Sequence, residues 1–411
     1  MGMRAGILVL AGLMLTGLLV GWRASAPAQA AELELAMGKA LFERAWVPAP
    51  TSTAAADGLG PLFSGRACTA CHSGGGPARV SLAAGGRAQG IVVRFGDAAG
   101  RPDPRYGLQL QEHANPGLNP EGRLLLAGEA IRGVVPQPPI RLALNGPPPQ
   151  AGIRVGLRAA PSLAGRGDLE RIDASAALAL ADPDDRDGDG VSGRPRFIDA
   201  PGGGPRRLGR FGWKAAAPDL RTQVATAFAL DMGLSSTDVP LPYGDCTVAA
   251  ADCLAAPTGI RPGDKGQELD EQIISLVTRF VARQTTPRAS PDAEGVRLLR
   301  ASGCSACHVP SLPSGSGEPI DAFTDLLLHD LGGDLDDGVG EPGVASAEWR
   351  TSPLLDLGSR NGTRRYLHDG RAASIATAIS LHGGEAASSR TRFAALSPAD
   401  RRRLLQFLEG R

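Results

Sequence analysis

The sequence lacks an excess of charge of either sign. Its 411 residues include 43 lysines and arginines and 43 aspartates and glutamates. Proteins that bind nucleic acid usually carry a basic surface that matches the phosphate backbone, so this balance argues against a nucleic-acid partner. The hydrophobic share of 42% and the charged share of 21% are those of an ordinary globular protein, and the length allows about two to three domains.

The long apolar run of this sequence lies at its N-terminus. Arg4 is followed by an apolar stretch over residues 6–21 and then by Ala28-Gln-Ala30-Ala31. A positive start, an apolar middle and small residues at the end are typical of a secretory signal peptide, so residues 1–31 are predicted to be removed on export to the periplasm. The alternative is an uncleaved membrane anchor, since the run is only a little short of a membrane span.

Cysteine is scarce, with six in the whole chain, and four of the six belong to two copies of one motif. These copies read Cys68-Thr-Ala-Cys71-His72 and Cys304-Ser-Ala-Cys307-His308. The C-x-x-C-H pattern is the attachment signature of a c-type haem. Two thiols on one turn can each form a thioether to a vinyl group of one porphyrin, and the adjacent histidine supplies the proximal nitrogen to the iron. The sequence therefore predicts two covalently bound haems, with disulfides or zinc as the alternatives.

The remaining cysteines, Cys246 and Cys253, are separated by six residues. In an oxidising compartment such a pair is expected to form a short-loop disulfide. Two free thiols are the alternative.

Apolar spacing predicts helices before and after each haem motif. They cover residues 32–46, 220–232, 267–284 and 291–301, and a last helix follows Ser397-Pro398. Short alternating apolar runs between Gly and Pro predict strands within about residues 79–205. We therefore predict a mainly α protein of two cytochrome c-like haem domains, residues 32–285 and 286–411, the first with a β-containing insertion at about 79–205.

An acidic loop closes the predicted insertion. Asp185, Asp187, Asp189 and Gly190 match positions 1, 3, 5 and 6 of an EF-hand loop, but Arg196 stands where the bidentate glutamate should be. A complete EF-hand is thereby excluded. A looser calcium site remains, with an acidic turn held by its own hydrogen bonds as the alternative.

Candidates for a second axial ligand on either iron are few. After residue 31 the chain has two methionines, and four histidines besides the two in the motifs. Met232 and His382 are candidate distal ligands, each with a plain packing role as the alternative. If one iron is open, peroxide could bind there, and cleavage of its O–O bond needs an acid–base group nearby. His368 and Glu385 are the candidates for that role.

Several further motifs, spread over nearly all of the chain after residue 31, carry a family resemblance. They include Gly58-Leu-Gly-Pro-Leu-Phe63, Asp187-Gly-Asp-Gly-Val-Ser-Gly-Arg194, Phe211-Gly-Trp-Lys214, Leu367-His-Asp-Gly-Arg-Ala372 and His382-Gly-Gly-Glu-Ala386. The chain resembles the bacterial di-haem oxidoreductase (putative peroxidase) family, which is distantly related to the di-haem cytochrome c peroxidases. The resemblance implies thioether roles for the four motif cysteines, proximal ligation by the two motif histidines and a redox role in the periplasm.

These patterns together predict a periplasmic oxidoreductase. One haem would take electrons from a small redox protein, a cytochrome or a copper protein, and the other would reduce a small oxidant, hydrogen peroxide. A di-haem electron carrier with both irons six-coordinate is the main alternative, and a haem-based sensor is another.

Overall fold

The computed structural model describes residues 26–53, 56–77, 90–126, 140–200, 203–285, 292–358 and 364–411. The predicted leader therefore lies mostly outside the described residues, as do parts of the predicted insertion. Ten α-helices occur in these ranges: α1 Ala26–Glu43, α2 Arg166–Arg171, α3 Ala174–Leu178, α4 Leu220–Met232, α5 Ala251–Leu254, α6 Glu271–Ala282, α7 Ala293–Ala301, α8 Ile375–Ser380, α9 Ala387–Ala395 and α10 Pro398–Glu409. None of these helices combines the length and apolar character that a membrane crossing needs.

Twelve short strands of the described chain form six separate antiparallel pairs. The pairs are β1 Leu62–Phe63 with β3 His113–Ala114, β2 Ile91–Gly96 with β6 Arg154–Ala159, β4 Gly122–Leu126 with β5 Ile140–Leu144, β7 Phe197–Ile198 with β8 Arg207–Leu208, β9 Leu312–Pro313 with β10 Pro319–Ile320, and β11 Leu328–Asp330 with β12 Glu348–Arg350.

The prediction of a mainly α fold is wrong. Helix accounts for 30% and strand for 15% of the structure, so the chain is mixed. Strand pairs also occur after residue 286, where none was predicted. The physical reason lies in the 55 glycines and 33 prolines, which interrupt helices and leave short ribbons between turns.

Local capping explains where the principal helices begin. The side chain of Asp219 accepts a hydrogen bond from the Thr222 amide at the start of α4, and Asp270 does the same for Ile273 in α6. Each cap satisfies an amide that has no partner within its helix. Gly233 ends α4 in the left-handed conformation, with φ 66°, which glycine adopts at little cost.

The core is divided among three principal clusters. Helices α1, α4 and α6 bury the largest one, which includes Phe42, Trp46 and Phe228. Strands β2 and β6 cover a second cluster around Phe95, and α7, α8 and α10 enclose a third around Phe407. The largest cluster also contains Leu312, Ile320 and Leu326 from the second half of the chain. The division into two domains remains a prediction, because the two halves share this core.

Candidate haem sites

The second C-x-x-C-H motif forms a single 3₁₀ turn at the end of α7. Gly303 takes a φ of 75° just before the turn Cys304–Ala306, and the His308 amide donates to the Cys304 carbonyl at 2.9 Å. The turn brings both thiols and the imidazole to one cavity of about 250 Å³. Neither cysteine is in a disulfide, so both sulfurs are available for thioether bonds.

His308 has the surroundings of an axial ligand. Its Nδ1 lies 3.0 Å from the Phe323 carbonyl oxygen, so Nδ1 carries the proton and Nε2 is left to bind a metal. Burial, and then the nearby His382, lowers the pKa of His308 to about 4. A neutral imidazole is the form that binds iron. The cavity residues of this motif thus fit a covalently attached haem.

The first motif repeats the same local geometry. Cys68–Ala70 form a 3₁₀ turn, and the His72 amide donates to the Cys68 carbonyl at 2.8 Å. Burial lowers the pKa of His72 to about 4, against a smaller raising effect of the Gly76 carbonyl. In the described part of the chain its buried Nδ1 has no well-formed hydrogen bond. Cys68 and Cys71 are also outside any disulfide.

His382 lines the same cavity as His308. Its Nδ1 lies 2.8 Å from the Ala378 carbonyl one turn earlier in α8, which again leaves Nε2 as the free nitrogen. Burial lowers the pKa of His382, so the ring is neutral. His382 thus lies on the cavity of the second motif, and a distal role for it remains a prediction.

His368 also lines this cavity. Its ring stacks on Trp349 with centroids 3.8 Å apart, and Trp213 approaches it edge-on at 6.4 Å. Its Nε2 is buried and has no hydrogen-bond partner in the described chain. Burial, followed by the charge of Arg158, keeps the pKa of His368 well below its usual value. A neutral imidazole with an unused nitrogen can accept or pass on a proton.

Glu385 also lines the cavity, but its oxygens are already engaged. It accepts hydrogen bonds from the Ser192 amide and hydroxyl and from the Asp330 amide, and His329 Nδ1 lies 2.7 Å away. Burial alone would raise the pKa of Glu385, but these hydrogen bonds lower it to about 2. The carboxylate is held ionised, which favours a positioning role over the predicted acid–base role.

His329 bridges two carboxylates. Its Nε2 lies 2.8 Å from Asp325 and its Nδ1 lies 2.7 Å from Glu385. Burial by itself would lower the pKa of His329, but hydrogen bonds with Asp325, Cys307 and Glu385 raise it to about 12. Cys307, Asp325 and His329 come close enough to hold a metal, but a thioether at Cys307 would remove that thiolate.

Met232 lies away from the cavity at His308. It is buried at the end of α4, in the core cluster against which Cys68 packs, and it is absent from the lining of the cavity at His308. The neighbouring Asp231 raises the pKa of both Cys68 and Cys71, after the larger effect of burial. The structure thus places Met232 on the side of the first motif, where a distal role for it remains a prediction.

The acidic loop brings its three carboxylates together as a calcium site would require. One oxygen each of Asp185, Asp187 and Asp189 lies within 4.8 Å of the others. The amide of Gly190 donates to Asp185 at 3.1 Å, as in a turn held by its own aspartates. The two interpretations given above therefore both remain open.

Cys246 and Cys253 form a disulfide in the structure, with Cα atoms 6.3 Å apart. The bond closes a surface loop between α4 and α6. Next to it, Asp245 accepts hydrogen bonds from the amides of Leu108 and Gln109 and so ties this loop to the predicted insertion.

Comparison with known proteins is consistent with this site. Residues 149–410 match the family model described as "Di-haem oxidoreductase, putative peroxidase". No curated protein matches the chain. A solved chain of Kuenenia stuttgartiensis hydrazine synthase, pressurised with 20 bar of xenon, aligns with 61% of this chain and 87% of its own length at 14% identity and a TM-score of 0.24. That likeness is too slight to bear on fold or function.

Proposed function

Because the chain belongs to the di-haem oxidoreductase family, we propose that it is a periplasmic enzyme that passes electrons from a small redox protein, through two covalently bound haems, to hydrogen peroxide. The family membership predicted from the sequence is confirmed over residues 149–410. It supports a haem-based oxidoreductase in general terms. The oxidant, the electron donor and the location are the specific parts of the proposal.

One observation favours an enzyme over an electron carrier. His308, His368 and His382 all line the cavity at the second motif. An iron with His308 as its proximal ligand needs at most one more histidine to be closed, so one imidazole is left over. A buried neutral imidazole that binds no iron is suited to proton transfer, which peroxide reduction needs and simple electron transfer does not.

Each residue of this site is assigned a separate role. Cys304 and Cys307 would hold the porphyrin, and His308 would bind the iron through Nε2. Bound haem supplies one-electron redox chemistry and, where a coordination position is open, a place for a small oxidant. His368 is assigned the acid–base role because its Nε2 has no hydrogen-bond partner among the described residues.

The electron-carrier alternative rests on His382. Its Nδ1 is anchored on the Ala378 carbonyl, and such an anchor orients a histidine for coordination. If His382 closes the second iron permanently and Met232 closes the first, no position remains for an oxidant. Removal of either ligand would then create activity that the natural protein lacks.

Attachment is tested first. The pyridine haemochrome spectrum of the purified full chain should give two haems per chain, both with c-type spectra. The double variant Cys304→Ala/Cys307→Ala should retain one haem under denaturing conditions, and the matched double variant Cys68→Ala/Cys71→Ala the other. Full haem retention in either variant would exclude thioether attachment at that motif.

Activity is tested by stopped-flow absorbance. The fully reduced protein is mixed anaerobically with hydrogen peroxide, with reduced cytochrome c as donor. The enzyme should reoxidise rapidly and consume donor continuously. His368→Gln should slow turnover about tenfold or more, while His113→Gln, in the β3 strand outside the lining of this cavity, should not. Slow reoxidation without donor consumption in the natural protein would support the carrier instead.

A further inference from the structure

The indole of Trp349 has two cationic neighbours that the proposed function does not use. Trp349 is buried, lines the cavity at His308 and stacks on His368. The ammonium nitrogen of Lys214 lies 3.9 Å from the centre of the indole ring, and the guanidinium carbon of Arg158 lies 4.6 Å from it. Two cations therefore lie close to one aromatic ring in the wall of the cavity.

Lys214 is fully buried, and three hydrogen bonds fix its Nζ. It donates to the carbonyl oxygens of Ala345, Ser346 and Glu348 at 2.9, 2.9 and 2.7 Å. These carbonyls belong to the segment that leads directly into Trp349, so the same piece of backbone holds both the ammonium group and the indole. Lys214 is not among the residues that line the cavity. Its place beside the ring is thus set by the fold.

The surroundings of Lys214 do not cancel its positive charge. Three carboxylates act on it, and each is already paired with an arginine: Asp337 with Arg158, Glu341 with Arg196 and Glu348 with Arg194. Burial, and then the charge of Arg158, lowers the pKa of Lys214 to about 8, so the amine is mostly protonated at pH 7. Because Asp337 balances Arg158, the uncompensated charge beside the ring is that of Lys214.

An ammonium group this close makes an indole harder to oxidise. The cation is attracted to the electron-rich face of the neutral ring, whereas loss of one electron would turn the ring into a cation that repels it. Loss of the indole proton does not relieve this repulsion. Trp349 Nε1 donates at 3.0 Å to the Leu335 carbonyl, which accepts a hydrogen bond but is no base at neutral pH. The positive charge of an oxidised Trp349 would therefore stay next to Lys214.

Trp213 provides an internal reference for Trp349. It also lines the cavity, and its Nε1 donates to the Ala159 carbonyl at 2.9 Å. Among the described residues, however, no lysine or arginine lies over its ring. The two tryptophans have similar hydrogen bonds and differ in the charge beside the ring, so Trp213 is expected to be the more easily oxidised.

We propose that Lys214 protects Trp349 from oxidation while peroxide is reduced at the second motif. The inference rests on the proposed function. Reduction of hydrogen peroxide to two molecules of water takes two electrons and two protons. When the donor protein does not supply them, a tryptophan can, because a tryptophan and a water molecule together give hydroxytryptophan, two electrons and two protons. With the charge of Lys214 in place, these electrons come from the donor or from a side chain other than Trp349.

The test exposes the holoprotein to hydrogen peroxide without a donor and locates hydroxytryptophan by peptide mass spectrometry. Lys214→Gln removes the charge but keeps an N–H donor for the carbonyls. It should increase hydroxytryptophan at residue 349 by about tenfold. Lys39→Gln, on the exposed side of α1, is the matched control and should leave the level unchanged. Lys214→Arg keeps the charge and should also retain the low level of the natural protein.

Equal modification of Trp349 in the natural protein and in a folded Lys214→Gln variant with full haem content would overturn the proposal. If Lys214→Gln does not fold, the natural protein decides: Trp349 should be modified about tenfold less than Trp213, and equal modification would overturn the proposal. Absence of any reaction with peroxide would be a failure of the proposed function itself, which the stopped-flow assay detects separately. The same comparison of variants then uses photogenerated ruthenium(III) tris-bipyridine as the one-electron oxidant.

Discussion

Replacement of Glu385 by glutamine separates a positioning role from an acid–base role. Glu385 is 14% exposed on its side chain, and its pKa is lowered from 4.5 to about 2. A pKa that differs by one between the folded and unfolded protein corresponds to about 1.4 kcal/mol, so the ionised carboxylate should contribute about 3 kcal/mol to the free energy of unfolding. The raised pKa of His329 reflects hydrogen bonds with Asp325 and Cys307 as well as Glu385, so only part of it belongs to Glu385.

The pH dependence has a definite sign. A carboxyl whose pKa is lowered by folding contributes its stability fully above the unfolded value of 4.5 and loses it as the pH falls towards 2. Guanidinium unfolding, followed by circular dichroism, should therefore show Glu385→Gln about 3 kcal/mol less stable than the natural protein at pH 7. The difference should shrink steadily below pH 4.

The matched control is Glu318→Gln. Glu318 also pairs with a cation, Arg171, but is 70% exposed, so its loss should cost less than about 1 kcal/mol. Peroxide turnover of Glu385→Gln, measured at a temperature where it is folded, should stay within about threefold of the natural protein. Equal stability at pH 7, or a loss of turnover without loss of stability, would refute the positioning role.

Three further predictions concern regions away from the haem cavity. Burial raises the pKa of Glu121 from 4.5 to about 8, so the folded protein is destabilised by this carboxyl as the pH rises from 4.5 towards 8. Glu121→Gln should therefore have the same unfolding free energy as the natural protein at pH 4 and exceed it by roughly 2–4 kcal/mol at pH 9. Cys246→Ser/Cys253→Ser should lower the unfolding free energy by about 2–3 kcal/mol, as expected for a short closed loop. Calcium should raise the thermal midpoint of the natural protein, and Asp187→Asn should abolish that increase.

Each of these three predictions has an outcome that would contradict it. A pH-independent difference for Glu121→Gln would mean that this carboxyl does not titrate on unfolding. An unchanged stability without the disulfide would mean that neighbouring contacts hold the loop by themselves. A thermal midpoint that magnesium raises as much as calcium would indicate general charge screening by the acidic turn.

The sequence by itself determined the features that depend on local geometry. The C-x-x-C-H spacing produces the same 3₁₀ turn in both copies, since the hydrogen bond that closes it joins the two cysteines, which are three residues apart. Asp219 caps a helix because it precedes an apolar-periodic stretch. The mixed fold was missed because two- and three-residue strands are too short to show a period of two.

Only the tertiary structure decided which side chains line the cavity at His308 and which of them pair with each other. Ser192 and Glu385 are 193 residues apart in the chain and hydrogen-bonded. The role of His329 likewise depends on its hydrogen bond with Glu385, which lies 56 residues further along the chain. The chemical role of a charged or buried residue depends on the neighbours that folding brings close to it. The distances to those neighbours cannot be read from the order of residues along the chain.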